Sequence, residues 1–213
     1  MTGRGAGLVL LGGGGHCKAA IDVIEAAGVA IAGVLDWPEA GLTGVLGHPV
    51  LGHDDALPAL VAEGHPVLVT IGQIRTPAPR IRAFDAARAA GARMPCVVSP
   101  RAHVSRHATL GDGTLVLHGA VVNAAARVGS NVIVNSLALI EHDAEVGDHC
   151  HVATGARVNG AVTLGAGCFI GSGAVLKNGI TIGAGSVIGA AAVIRHNIPE
   201  GSFVPATPER TEA

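Results

Sequence analysis

The chain repeats an aliphatic residue at every sixth position over nearly half of its length. From Val104 to Ile194 the first residue of each six-residue unit is Val, Leu or Ile, in sixteen consecutive units without a break in phase. The fifth residue of most units is small, as at Ala120, Ala138 and Ala156. Neither the alternation of an ordinary strand nor the 3.6-residue period of a helix gives this pattern. The unbroken phase argues against a low-complexity tract and against the strands of a β-sandwich.

A parallel β-coil accounts for the period of six. Each unit would form one short strand and a turn, with the aliphatic and the small residue pointing inward. Three units would complete one turn of about eighteen residues, so that the sixteen units predict about five coils. Residues eighteen apart should then lie one above the other on successive coils.

The first hundred residues follow a different pattern, in which apolar strands alternate with helices. Such alternation is typical of a small parallel α/β sheet. We therefore predict a Rossmann-like α/β domain over residues 1–100, followed by an all-β coil over residues 101–213 with a short C-terminal tail. The predicted elements are strands at 8–11, 30–35, 66–72 and 93–98, and helices at 16–27, at 55–63 and ending at 87–91.

The strand ends of this domain indicate where a ligand would bind. Ligands of open α/β sheets bind beyond the carboxyl ends of the strands, which here carry Gly12 to His16, Asp36 to Trp37, and Gly72 to Arg75. A glycine turn lets a phosphate or ribose approach the N–H groups at a helix start. The turn is an imperfect dinucleotide fingerprint, because Cys17 stands where the third Gly belongs. The small sheet favours a nucleotide sugar over NAD, and a turn that only packs helix on strand remains open.

Composition argues against several classes of function. The net charge is −2, aromatic residues make up 2% of the chain and basic residues form no long run, all of which disfavours nucleic-acid binding. The apolar run near the N-terminus is too short for a signal peptide or a membrane span. The four cysteines form no CxxC pair. These features predict a cytoplasmic protein with reduced thiols.

Residues 140–151, IEHDAEVGDHCH, concentrate histidines and carboxylates. Their composition alone allows a metal site, a catalytic base or a solvated surface. Because His142 and His151 are half a coil apart, they should lie on different faces. His142 should have Ala124 above it and Gly160 below it, which leaves space beside its imidazole. A histidine with a pKa near about 6.5 can deprotonate a sugar ammonium, and backbone N–H groups such as that of Gly160 can stabilise the oxyanion that follows.

The uninterrupted repeat resembles that of the hexapeptide-repeat acyltransferases, which fold as a left-handed parallel β-helix. The stretches GGGGHCKAAIDVI, GHPVLG, NSLALIEHDAEVGDHCHVATGARVNGAVTLGAGCFIGSGAVL and IPEGSFVPATP are similar to one bacterial group of sugar acetyltransferases. That group modifies sialic acid, or the 4-amino group of nucleotide-linked dideoxy sugars such as bacillosamine and perosamine precursors. The resemblance implies acetyl-CoA as co-substrate, no metal, a homotrimer with active sites between neighbouring coils, and a place in lipopolysaccharide O-antigen biosynthesis.

The same resemblance implies roles for individual residues. His142 corresponds to the general base, and Asp143 to the carboxylate that raises its basicity, although Glu is common at that position. Asn135 corresponds to a residue that helps to hold the sugar. The residues implied for the coenzyme are His151, Gly160, Ser172 and Ala190. Those implied for the nucleotide sugar are Gly14, Gly15, His16, Asp36, Trp37 and Gly72, to which charge alone adds Arg75 and Arg80 for the diphosphate.

We therefore expect acetyl transfer from acetyl-CoA to the 4-amino group of a nucleotide-linked dideoxy amino sugar, with His142 as base. O-acetylation of a sialic acid or hexose hydroxyl remains an alternative, because a hydroxyl acceptor also needs a base. A metal-dependent hydratase is a second alternative, since some β-helix hydratases bind zinc through histidines at a trimer interface. A non-catalytic assembly scaffold is a third.

Overall fold

The N-terminal part of the protein is an α/β domain. The computed structural model describes residues 6–37, 41 and 43–206. Within these residues, five strands form a sheet in the order β3-β4-β2-β1-β5. The strands are Leu8–Leu11 (β1), Ile31–Leu35 (β2), Gly44–Val45 (β3), His48–Gly52 (β4) and Val67–Val69 (β5), and the helices are Gly15–Ala26 (α1), Leu57–Ala62 (α2) and Ala78–Ala89 (α3).

The sheet confirms the predicted α/β fold and adds a hairpin. β1 pairs in parallel with β2 and β5, and β2 pairs in parallel with β4. The short strand β3 pairs antiparallel with β4, so the sheet is mixed rather than wholly parallel. Sequence analysis did not predict β3 and β4, because the segment around Pro49 carries little apolar periodicity.

The central strand β1 is buried on both faces. Leu8 and Leu10 pack into a cluster with α1, whereas Val9 and Leu11 pack on the opposite face with Phe84 of α3. This division follows from the alternation of side chains along a strand. A strand covered on both sides reads as a continuous apolar run rather than an alternating one, as LVLL does here.

The C-terminal part is a left-handed parallel β-helix, as predicted. Within the described residues its short strands form three parallel sheets, which we call faces 1, 2 and 3. Face 1 contains Val97–Val98 (β6), Leu115–Val116 (β9), Ile133–Val134 (β12), His151–Val152 (β15), Phe169–Ile170 (β18), Val187–Ile188 (β21) and Phe203–Val204 (β23). Face 2 contains His103–Val104 (β7), Val121–Val122 (β10), Leu139–Ile140 (β13), Arg157–Val158 (β16), Val175–Leu176 (β19) and Val193–Ile194 (β22). Face 3 contains Thr109–Leu110 (β8), Arg127–Val128 (β11), Glu145–Val146 (β14), Thr163–Leu164 (β17) and Thr181–Ile182 (β20).

The register of the β-helix confirms the eighteen-residue coil. On face 2, Val121 pairs with Leu139 and Leu139 pairs with Arg157, each partner lying one coil further along. The aliphatic first position of the repeat and the small fifth position form one buried core, to which Ala138 and Ile140 belong. The repeat therefore predicted both the pairing and the inward side chains.

One predicted element belongs to the other domain. The strand predicted at 93–98 as part of the α/β sheet is wrong, because β6 pairs in parallel with β9 of the β-helix. The repeat explains this difference, since Val98 lies six residues before Val104 and continues the aliphatic phase by one further unit. The division of the chain after residue 100 stays a prediction.

The turns of the β-helix share one backbone conformation. In every unit from residue 113 to residue 191 the fourth residue has a positive φ. Glycine occupies many of these positions because it adopts the left-handed region without strain. Asp143 and His149 occupy two of them, with φ of 60° and 62°. The fold therefore fixes the backbone of Asp143, directly after His142.

The α/β domain packs on face 1 of the β-helix. Leu115 and Ile133 point outward from that face and belong to the same buried cluster as Ile21 and Ile24 of α1. At the edge of this interface, His118 makes a hydrogen bond of 2.8 Å with Asp22 of α1. Within the described residues, no helix is long and apolar enough to cross a membrane.

Candidate active site

His142 lies in the turn between β13 on face 2 and β14 on face 3. Its side chain is 60% exposed, and its Nδ1 lies 2.8 Å from Oδ2 of Asp143. This hydrogen bond is the main cause of a raised pKa for His142, and the charges of Asp143 and Glu141 add to it. A carboxylate can only accept, so Nδ1 carries the proton and the neutral ring keeps its lone pair on Nε2. The geometry therefore presents Nε2 as a base.

Gly160 lies directly below the imidazole of His142, on the next coil. A Cβ atom built at Gly160 would lie 2.8 Å from both Cε1 and Nε2 of the ring. The two coils are joined at this point by the hydrogen bond from Ala161 N to His142 O. The space predicted beside Gly160 is thus the space that the imidazole occupies, and glycine at this position makes room for it.

Glu141 is a neighbour of His142 that sequence analysis did not single out. Its Oε2 accepts the backbone N–H of His142 at 3.1 Å and an amide N–H of Asn123 at 2.9 Å. Asn123 and Glu141 are eighteen residues apart, so the coil spacing could have predicted this pair. The pair joins the His142 turn to the preceding coil.

A cavity of about 920 Å³ lies between the carboxyl ends of β1, β2 and β5, the start of α1, and α3. Cβ atoms built at Gly14 and Gly15 would meet no described heavy atom within 4 Å, so the glycine turn is open. Most residues predicted for the nucleotide sugar line this cavity, as does one residue predicted for the coenzyme. These are Gly14, Gly15, His16, Asp36, Trp37 and Gly72, together with His151.

His16 and His151 form part of the cavity wall, with ring centroids 6.0 Å apart. Burial, with a smaller contribution from Arg80, lowers the pKa of His16 to about 4. Burial, followed by the charge of His16, lowers the pKa of His151 to about 3. Both rings are therefore neutral at physiological pH. Nε2 of His16 is buried and has no hydrogen-bond partner among the described residues.

His151 is held on both ring nitrogens. Its Nδ1 lies 2.9 Å from the carbonyl oxygen of Gln73, which can only accept, so Nδ1 donates. Its Nε2 lies 3.1 Å from Nδ2 of Asn135 and therefore accepts. Asn135 contacts His151 but does not line the cavity. Its role in holding the sugar stays a prediction.

The arginines predicted for the diphosphate are placed differently. Arg80 is only 1% exposed and hydrogen bonds with Gln73 and Asn131, so the prediction that it holds the diphosphate is wrong. Arg75 is exposed but does not line the cavity. Arg82, which sequence analysis did not select, does line it. Charge alone could not distinguish Arg80 from Arg82, because the choice depends on which side of α3 faces the β-helix, and Arg75 precedes that helix.

Of the four residues predicted for the coenzyme, His151 lies on β15 in the cavity wall, and the other three lie in turns at two different corners of the β-helix. Ser172 and Ala190 are exposed and stack between faces 1 and 2, where Ala191 N donates to Ser172 O. Gly160 lies with His142 between faces 2 and 3. Their roles in binding acetyl-CoA stay predictions.

His142 and the cavity are separate within one chain. His142 lies between faces 2 and 3, whereas the cavity adjoins face 1 and has no His142 atom in its lining. This separation agrees with the half-coil spacing of His142 and His151. Among the described residues, no group of three or more His, Cys, Asp or Glu side chains could hold a metal ion.

Comparison with known proteins places the chain in a class of acyltransferases. Residues 7–82 match the model of the PglD N-terminal domain, and residues 161–196 match that of the bacterial transferase hexapeptide. No curated protein matches. These two domains, one after the other, define a hexapeptide-repeat transferase with an added α/β domain.

Solved structures define the family more closely. PerB from Caulobacter crescentus, crystallised with CoA and GDP-perosamine, is 33% identical over 98% of each chain, with a TM-score of 0.89. The acetyltransferase domain of PglB from Neisseria gonorrhoeae, in complex with acetyl coenzyme A, is 32% identical over 94% of this chain and 96% of that one, with a TM-score of 0.86. WeeI from Acinetobacter baumannii, at 22% identity, shares the fold, with a TM-score of 0.79. The chain belongs to the family of acetyl-CoA-dependent nucleotide-sugar N-acetyltransferases.

Proposed function

We propose that this protein transfers the acetyl group of acetyl-CoA to the 4-amino group of a nucleotide-linked dideoxy amino sugar. The observation that carries the proposal is the imidazole of His142. Its Nδ1 is hydrogen bonded to Asp143, and its Nε2, which lies beside Gly160, keeps a free lone pair. The complex of PerB with CoA and GDP-perosamine supports the choice of acceptor, and makes a GDP-linked sugar the first substrate to test.

The reaction follows from the position of the free lone pair. Nε2 of His142 takes a proton from the sugar ammonium, and the amine attacks the thioester carbonyl carbon. Backbone N–H groups, with that of Gly160 as the first candidate, stabilise the oxyanion of the tetrahedral intermediate. The attacking nitrogen then gives up its second proton as the C–S bond breaks, so that the amide forms and the CoA thiolate leaves and takes up that proton. The first proton passes from His142 to solvent. Asp143 holds the ring of His142 in the tautomer that the first proton transfer requires, with Nδ1 protonated and Nε2 free.

We propose that the cavity between the domains receives the nucleotide sugar. The open glycine turn at the start of α1 offers N–H groups to the diphosphate, in the usual manner of a helix N-terminus. Arg82 supplies a positive charge to the same group. Asp36 follows β2, where a ribose hydroxyl is bound in related sheets, and Trp37, 65% exposed, offers a surface on which the base can stack.

We further propose a homotrimer in which each active site is shared by two protomers. Two apolar residues support this arrangement: Leu137, in the turn between faces 1 and 2, is 68% exposed, and Val193, on face 2, is 53% exposed. Packing face 2 around a three-fold axis would bury this surface. It would also bring the His142 turn of one protomer toward the cavity side of the next. The composition adds a cytoplasmic location, and the family resemblance adds a role in lipopolysaccharide O-antigen assembly.

A substrate panel tests the proposed function. CoA release would be measured with GDP- and UDP-linked 4-amino sugars, and with matched sugars that carry a hydroxyl in place of the amine. We expect turnover with an amine acceptor and none above background with its hydroxyl counterpart. Preferred turnover of hydroxyl acceptors, including sialic acid, would replace the proposal with O-acetylation.

A further inference from the structure

Gln73 is a buried link between the two domains. It lies in the segment after β5 that lines the cavity, and it is only 4% exposed. Its carbonyl oxygen accepts Nδ1–H of His151 at 2.9 Å, and its Nε2 donates to the carbonyl oxygen of Gly167 at 3.1 Å. Its Oε1 accepts from Nη1 of Arg80 at 3.2 Å. A single residue of the cavity wall is therefore bonded to α3 and to two coils of the β-helix.

Arg80 connects Gln73 to a third point. Its Nη2 donates to both the carbonyl oxygen and the Oδ1 of Asn131, the latter at 3.0 Å. Asn131 lies in a β-helix turn with φ of 53°, and its Nδ2 donates to the carbonyl oxygen of Arg80 at 3.4 Å. The planar guanidinium thus bridges the turn and the side chain of Gln73, a two-sided contact that an ammonium cannot reproduce.

We propose that Arg80 is a positioning residue for the nucleotide-sugar cavity. By fixing Gln73 it holds His151 as the Nδ1–H tautomer, with Nε2 turned toward Asn135 as a hydrogen-bond acceptor. The inference rests on the proposed function in so far as the cavity is the sugar site. The proposal is that Arg80, a buried cation that does not line the cavity, sets the orientation of a ring that forms part of the cavity wall.

Loss of Arg80 should release this chain of hydrogen bonds in a defined order. Oε1 of Gln73 loses the hydrogen bond that Arg80 donates to it. The backbone carbonyl oxygen of Gln73 is then held less firmly, and the ring of His151 that bonds to it can exchange tautomers. The ionisable groups that face His151 are His16 from α1 and Arg80 itself from α3. Small displacements of a binding group commonly cost about 10- to 100-fold in turnover.

The first measurement uses the protein without substrate. In ¹⁵N-histidine-labelled wild type, several rings should have a pyrrole-type Nδ1 and a pyridine-type Nε2, because His53, His65 and His142 also face an acceptor through Nδ1. The ring of His151 is assigned as the one whose signal disappears in His151→Gln. In Arg80→Met this ring should show averaged, mixed-tautomer shifts. Arg88→Met is the matched control, because Arg88 is an exposed arginine of the same helix whose side chain bonds with Asp85. It should leave the signal unchanged.

The second measurement is kinetic. Arg80→Met should lower kcat/KM for the nucleotide sugar by about 10- to 100-fold while KM for acetyl-CoA changes little. Arg88→Met should match wild type. Arg80→Lys, which keeps the charge, serves if Arg80→Met does not fold, and it should show the same loss because it cannot bridge Gln73 and Asn131 together.

The outcomes separate this proposal from the proposed function. If wild type acetylates no nucleotide sugar, the proposed function fails, whereas the tautomer measurement still tests Arg80. An unchanged His151 signal in folded Arg80→Met or Arg80→Lys would overturn the proposal. So would a loss of activity that affects both substrates equally and follows the loss of thermal stability, because that pattern indicates a purely structural role.

Discussion

Nδ1 of His142 and Oδ2 of Asp143 lie 2.8 Å apart within a single turn of the β-helix. The left-handed backbone at Asp143 directs its short side chain back onto the preceding ring. A glutamate, common at this position in the family, is therefore not required for the contact. Both side chains are more than half exposed, so solvent screens the interaction, which acts on the pKa of His142 more than on stability.

The pair predicts a pH dependence of turnover. A base must be neutral, so kcat/KM should fall as the pH drops through the raised pKa of His142. Asp143→Asn removes the charge and the bond that raise this pKa, while Asn tolerates the left-handed backbone. The acidic limb of the profile should move to lower pH, and the plateau should fall because the base is weaker.

Kinetic profiles between about pH 5 and 9 would measure this shift. Glu145→Gln is the control, because it removes an exposed carboxylate on face 3 that pairs with Arg127. Its profile should follow that of wild type. An acidic limb that stays in place in Asp143→Asn would show that His142 does not titrate as the base.

Gly160 should be intolerant of even one methyl group. In Gly160→Ala the new Cβ would need the space of Cε1 and Nε2 of His142, so the ring must move away from its present position. We expect kcat/KM to fall by about 10-fold or more, because misplacing a reacting group by about an ångström is costly. The exposed ring can move without unfolding the coil, so thermal stability should change little.

A double-mutant cycle isolates this effect. In the His142→Ala background, Gly160→Ala should have no further effect on the residual rate, because the clashing ring is absent. Equal losses in both backgrounds would indicate that Gly160 acts independently of His142, for example through its own backbone N–H.

The two buried histidines of the cavity predict an acid-sensitive fold. The pKa values of His16 and His151 are lowered to about 4 and about 3, so the unfolded state binds protons more readily than the folded state. Stability should therefore fall as the pH drops below about 6.5, by roughly 3 kcal/mol for each of the two histidines down to about pH 4.

Urea unfolding at a series of pH values would measure this loss. In His151→Gln the free energy of unfolding should depend less steeply on pH, since one of the two protonation sites is gone. His103→Gln, at an exposed histidine near the start of the β-helix, should keep the slope of wild type. Identical slopes in all three proteins would contradict the burial of a neutral His151.

The six-residue period of the sequence predicted the features of the fold and of the site that depend on coil spacing. The eighteen-residue spacing correctly stacked His142 on Gly160 and separated it from His151 by half a coil. It could not predict where α3 would pack, because docking of the α/β domain depends on surfaces that no repeat specifies. For that reason Arg80 was predicted to bind the diphosphate, although it is buried against Asn131. Arg82, which lines the cavity, was not predicted.

The strand predicted at 93–98 shows a second property that apolar composition does not predict, namely the sheet to which a strand belongs. Its apolar composition suited a buried strand of either domain. The strand belongs to the β-helix because β6 pairs with β9. This pairing agrees with the six-residue spacing between Val98 and Val104. Similarly, β3 and β4 are short and form a local hairpin, which apolar periodicity detects poorly.

The central claim is that His142 of one protomer acts on a sugar held in the cavity of another. Two inactive variants test it. His142→Asn removes the base and should lower kcat/KM by about 10² or more. Gly15→Trp places a large ring in the cavity from a position where Cβ meets no described atom, and it should abolish sugar binding without unfolding the chain.

Unfolding the two variants together and refolding them as a mixture gives the decisive measurement. If sites are shared between protomers, an equal mixture should recover about a quarter of wild-type activity, because one in four interfaces pairs an intact His142 with an intact cavity. Each variant refolded alone should stay inactive. No recovery in mixed trimers that bind both substrates would contradict the account, since it would place the base and the cavity in the same chain.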